Sequence, residues 1–207
     1  SENLDKGSFF DLLKIRQLWF ILPLVLIHYA PVAGIRGLWI GPYINDNFYS
    51  ASNLAFATTA MSLAMIAGTF AYGPMDRIFS TRKWIIFIGS SVSLVSLISL
   101  ALFNEISFNV AVFLFCTLGF FGMSYPLMIA HGRSFSPENL TGRCVTLLNM
   151  FAIGGVGIFQ FLTGRIFSKL TEVHNNNHEA YTIIFLFYAS ALFLGLILYL
   201  KSKDRLD

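Results

Sequence analysis

The sequence predicts an all-α polytopic membrane protein with six transmembrane helices, arranged as two three-helix units of opposite topology. Three observations predict it. Of 207 residues, 56% are hydrophobic and 12% charged. A soluble domain carries roughly 25% charged residues, so this chain lacks the charge to cover a water-facing surface. Its apolar residues fall into six runs, each near the roughly 20 residues a helix needs to cross a hydrocarbon core about 30 Å thick. Lys and Arg gather at alternate ends of those runs. Backbone groups in lipid must be satisfied within the segment, which favours helices. The short alternating strands of a barrel are absent from the sequence.

Taken in order, residues 1–17 read as a cytoplasmic linker with an amphipathic start, "SENLDKGSFFDLLK", and the chain is expected to be part of something longer. Residues 18–200 form the six-helix bundle. The first span, about 18–43, contains Pro31, Gly34, Gly37, Gly41 and Pro42, so it is easy to bend or break. Discontinuous helices of this kind line solute sites in membranes. Its polar residues are His28, Tyr29 and Arg36, with Trp39 and Tyr43 near its outer end. Steps of 100° put Tyr29, Arg36 and Tyr43 within about 40° of one another. Polar side chains cost free energy in lipid and so mark sites. Arg36, Tyr29 and Trp39 are therefore candidate solute-binding residues; for Arg36 the alternative is snorkelling to the outer interface. His28 is a proton-relay candidate, or else a hydrogen bond between helices.

The second span, about 54–72, carries Ala60, Ala64 and Gly68 at four-residue spacing, a pattern for close helix packing. The third, about 84–103, is Ser-rich and reads the same way. The fourth runs from about 108 to 130. The fifth, about 145–167, holds Asn149 and Gln160 eleven residues apart, or about 20° in azimuth. That polar stripe either lines a cavity, making both candidate solute ligands, or bonds neighbouring helices. The sixth spans about 181–200, and residues 201–207 form a cytoplasmic tail.

Six spans put both termini on one side. That side holds Lys6, Lys14, Arg16, Arg77, Arg82, Lys83, Arg133, Arg143, Lys201, Lys203 and Arg205, against Arg165 and Lys169 opposite. By the positive-inside rule both termini are cytoplasmic. Trp19, Trp39 and Trp84 lie near span ends, as an aromatic belt requires. The net charge of +3 is small and gives no case for nucleic-acid binding. There is no His/Cys metal cluster, nucleotide-binding glycine loop or serine nucleophile elbow. Neither an enzyme, a metal nor a cofactor is expected, and "HNNNH" (His174–His178) reads as a solvated loop.

Internal repetition supports the two-unit arrangement. Span two ends "GTFAYGPMDRIFS" (Gly68–Ser80) and span five "GIFQFLTGRIFS" (Gly157–Ser168). Both contain Gly-x-Phe and close on Arg-Ile-Phe-Ser, and these are the middle members of the two units.

The connector "YGPMDRIFSTRK" (Tyr72–Lys83) turns the chain at the cytoplasmic face, with Gly73 and Pro74 expected to break span two and Asp76 to cap a helix. Read alone, it is a basic turn. Its order also resembles the signature loop of the major facilitator superfamily: Gly, three residues, Asp-Arg, a short gap, two bases. Here Gly73 precedes Asp76 by three places rather than four, Phe79 stands where a second Gly is usual, and Arg82-Lys83 fall one place late. "GIRGLWIGPYINDNF" (Gly34–Phe48) and "ENLTGRCVTLLNMFAIGGVGIFQ" (Glu138–Gln160) resemble the end of helix seven and the start of helix eleven in a bacterial branch of that superfamily. The Gly/Asn-rich helix-eleven signature of nitrate carriers is not found, so that substrate is not adopted.

The resemblance implies helices seven to twelve, the C-terminal half of a twelve-helix transporter in a bacterial inner membrane. It implies secondary active transport of a small solute by alternating access, with Gly73, Asp76, Arg77, Arg82 and Lys83 as a gating loop. The partner would be the missing N-terminal six-helix half or a second copy of the chain, with membrane lipid around both. The solute is expected to be a small organic anion, because Arg36 offers a planar fork for a carboxylate. The alternative is a non-transporting membrane scaffold or a truncated transporter fragment.

Overall fold

The computed structural model describes residues 9–103, 106–174 and 177–206, and among these the chain is helical apart from short turns. A single turn, α1 (Phe9–Leu12), leads into α2 (Arg16–Gly34), which continues through a π-helical segment (Ile35–Trp39) into α3 (Ile40–Phe48). There follow α4 (Ala51–Phe79), α5 (Lys83–Leu102), α6 (Phe108–Gly122) and α7 (Tyr125–Arg133). A 3₁₀ turn (Glu138–Leu140) precedes α8 (Thr141–His174), and α9 (Asn177–Tyr199) ends the bundle. Six helices are long and apolar enough to cross a membrane: α2 with α3, α4, α5, α6 with α7, α8 and α9.

Local chemistry accounts for the interruptions. Ser50 starts α4 by accepting a hydrogen bond from the Asn53 N–H. The same helix does not break at Gly73 and Pro74, as the sequence suggests, but runs on to Phe79. A proline inside a helix forfeits one backbone hydrogen bond, and the rest of the ladder holds. The turn is thereby confined to Ser80, Thr81 and Arg82. Asp76 accordingly sits in the last turns of α4 and caps no helix N-terminus. In the fourth span, Met123 and Ser124 separate α6 from α7.

The packing repeats itself. The first span packs chiefly on the fifth and sixth, and the fourth chiefly on the second and third. Exchanging spans one, two and three with four, five and six maps each set of pairs onto the other. Two glycines mark equivalent crossings. A Cβ on Gly155 of α8 would collide with the Leu26 carbonyl of α2, and one on Gly68 of α4 would collide with the Phe120 carbonyl of α6. Only a glycine permits such backbone approach. Gly157, which the sequence repeat pairs with Gly68, faces open space instead.

The core concentrates around an aromatic group in which the Tyr43 ring meets Tyr181, Phe115 and Phe185 at centroid distances of 5.3, 5.5 and 5.6 Å. Edge-to-face pairs at this separation are favourable. The least buried spans are α4 and α8, which turn Phe56, Leu63 and Phe70, and Met150, Ile153 and Phe161, outward.

Candidate functional site

The π-helical segment is the local departure that builds the site. It places one extra residue in a helical turn, a device that often accompanies function. Arg36 emerges from it, partly buried. Its Nε donates to Ser62 Oγ on α4 at 2.7 Å, and Ser62 in turn donates to the Thr58 carbonyl at 2.7 Å. Ser62 is thus oriented to accept from Arg36. Among the described residues, the two terminal amino groups of the guanidinium make no hydrogen bond. Gln160 of α8 lies against the same segment: a Cβ on Gly37 would be 3.7 Å from its Nε2. Arg36 therefore lies between the two most open spans.

Trp39 turns the other way. It is 4% exposed, donates from Nε1 to Thr163 Oγ1 at 3.1 Å, and packs against Phe167 with ring centroids 5.0 Å apart. Trp19 and Trp84, at 55% and 49% exposed, suit an interfacial belt; Trp39 does not. Nor does Tyr43 share a face with Arg36. The extra residue between them rotates it into the aromatic core, where it is buried.

Further along α2 towards the terminal face of the bundle, Tyr29 stacks on Tyr125 with centroids 5.2 Å apart. The Tyr125 hydroxyl donates to Asn149 Oδ1, while Asn149 Nδ2 is held by the Val145 carbonyl at 2.9 Å. The structure thus brings Tyr29 and Asn149 together through a residue the sequence reading passed over. His28, one residue before Tyr29, is buried deeper in the bundle. Its Nδ1 lies 3.0 Å from Ser90 Oγ, and its Nε2 lies 2.8 Å from Ser124 Oγ and 3.1 Å from the Gly122 carbonyl. It joins α2 to α5 and to the α6–α7 break.

At the face where α2 begins and α9 ends, Arg82 Nε donates to Asp76 Oδ2 at 2.8 Å, with both side chains about nine-tenths buried. An open groove of about 500 Å³ runs past this pair, lined by Tyr72, Gly73, Asp76, Arg77, Arg82 and Arg133. Lys83 leaves the groove for the tail, donating to the Leu200 and Ser202 carbonyls at 2.8 and 2.7 Å. Asp204, from the tail, accepts from the Thr81 hydroxyl and from the Arg82 and Lys83 N–H groups. Burial opposes its charge, but those bonds outweigh it and hold the carboxyl below its usual value. Ser62, Tyr125 and Asp204 carried no local signal, except that Tyr125 precedes Pro126 inside an apolar run. Of the His174–His178 stretch, residues 175 and 176 lie outside the described residues.

Six long apolar helices, with polar groups between the open spans and a basic loop at one face, define a helical integral membrane protein. The chain belongs to the Major Facilitator Superfamily, whose family model matches residues 17–206. In structure it is similar to the inward-open xylose transporter XylE from E. coli, with a TM-score of 0.71 and 18% identity, covering 95% of this chain and 48% of that one. The chain thus spans about half the length of that transporter. No curated protein matches the sequence.

Proposed function

We propose that the chain is the C-terminal half of a secondary active transporter that moves a small organic anion by alternating access, paired with a second six-helix half. Both termini lie in the cytoplasm, as the lysine and arginine distribution favours, and the membrane is a bacterial inner membrane. The observation that carries the reading is Arg36: a guanidinium in a membrane span, anchored through Nε alone, with its terminal amino groups available to a carboxylate. An interfacial anchor would need no serine to orient it. Gln160 and the Tyr29–Tyr125–Asn149 group extend a polar path along the same helices. The Asp76–Arg82 pair and its groove serve as the cytoplasmic gate, closing against the other half.

The test is uptake of a panel of small carboxylates by the full-length protein carrying Arg36→Lys, at matched abundance. Lysine keeps the charge and the ability to snorkel but loses the bidentate fork. Half-saturation should rise roughly tenfold or more, as loss of a charge-assisted hydrogen bond predicts. Undiminished uptake at unchanged half-saturation would overturn both the site and the anion.

A further inference from the structure

The N-terminus of α5 is built against its own helix dipole. Arg82 stands at the N-cap and Lys83 at the first helical position, two cations where the dipole is positive, and Arg82 supplies no side-chain cap. Thr81 accepts from the Trp84 N–H at a long 3.4 Å. What the local sequence withholds comes from the tail. Asp204 Oδ1 accepts from the Arg82 N–H at 3.1 Å and the Lys83 N–H at 3.0 Å, while Oδ2 accepts from the Thr81 hydroxyl. Lys83 reciprocates by placing its ammonium on the carbonyls just past the end of α9. An anion thus sits on the positive end of one helix and a cation on the negative end of the other.

The neighbouring tail residue fixes the same knot to two further helices. The Lys203 N–H donates to Gln17 Oε1 at 3.0 Å, and its carbonyl accepts from His131 Nε2 at 2.9 Å. Tyr199 donates to the other ring nitrogen of His131 at 2.7 Å. The ends of α2, α5, α7 and α9 are thereby tied to one short stretch of chain. From this tied unit the Arg82 side chain reaches to Asp76 on α4.

We infer that Asp204 is a positioning residue of the gate: the tail is a clasp that fixes the Arg82 backbone so that its side chain meets Asp76. The inference rests on reading the Asp76 loop as the gate, but its test reads the loop's geometry rather than transport. A single cysteine replaces Gly73, whose Cβ position is open, with Cys116 and Cys144 changed to Ala. Its rate of reaction with a membrane-impermeant maleimide, in membranes opened to the reagent, reports whether the groove has loosened.

Asp204→Ala should raise that rate roughly fivefold, as loss of a helix cap predicts. Asp204→Asn, which keeps an oxygen acceptor for the two N–H groups, should restore most of it. Adding Asp204→Ala to Asp76→Asn should change the rate little beyond Asp76→Asn alone, because both act through Arg82. The cycle is repeated with Asp204→Ser, so that a poorly accumulating Ala variant leaves the outcome decided. An unchanged rate in Asp204→Ala, or effects of Asp204→Ala and Asp76→Asn that add in full, would overturn the clasp. A loosened groove with transport intact in the full-length protein would leave the clasp standing and overturn the gate.

Discussion

Ser80 holds its backbone in the left-handed region, φ 51° and ψ 35°, where α4 stops. A side chain is disfavoured there by roughly 1–2 kcal/mol, which is why glycine usually ends helices this way. The family pattern puts its second glycine at Phe79, yet the left-handed residue is the next one. The following bases are also displaced by one, so the loop carries one extra residue. Ser80→Gly should stabilise the chain by about 1 kcal/mol, net of the freedom glycine gains when unfolded, read as a higher melting midpoint in detergent. An unchanged or lower midpoint would remove the strain argument. Arg36 and the Asp76–Arg82 neighbourhood were legible because charge is scarce in an apolar chain and so stands out. Tyr43 was misplaced because one unpredicted extra residue in the helix invalidates angular addition across it, and Trp39 because the span runs on to Phe48 and leaves it inside rather than at an end. Asp204 was illegible because its partners are more than a hundred residues away and nothing in "KSKDRLD" signals a cap.

The helices cross at points set by glycine. Gly155 and Gly157 lie two residues apart in α8 and face opposite environments, one against the Leu26 carbonyl and one against nothing. Gly155→Ala should therefore destabilise the bundle by about 1–3 kcal/mol, the usual range for overpacking. Gly157→Ala should be neutral or slightly favourable, since alanine is the better helix former. Detergent-solubilised abundance and melting of the two variants check this; equal effects would show that the α2–α8 crossing is not the tight one. The four-residue spacing at Ala60, Ala64 and Gly68 exposed the matching α4 crossing in the sequence. In α8 the glycines are too many for spacing alone to choose between them.

At the scale of the whole molecule, six apolar runs and the alternation of basic residues made the span count legible, because lipid leaves the backbone few options. The helix ends were less so: α4 passes its proline, and the first span runs on to Phe48. The sidedness of the bundle is open to direct measurement. Single cysteines at Ser52, at the start of α4, and at Ser80, just past its end, should react with an impermeant thiol reagent from opposite sides, Ser80 from the cytoplasm. Reaction of both from one side would refute the six-span topology, and reaction of Ser52 from the cytoplasm would invert it.

The π-helical turn around Arg36 has a consequence for how the first span can move. A helix with one residue too many holds a dislocation, and a dislocation can migrate. Shifting it by one position along the span exchanges a pair of backbone hydrogen bonds while leaving the ladder above and below intact. The residues it passes rotate by about a quarter turn or more, and the flanking turns, held by the aromatic core around Tyr43 and by the Tyr29–Tyr125 stack, stay where they are. Arg36 can thus change the direction it faces without any helix tilting.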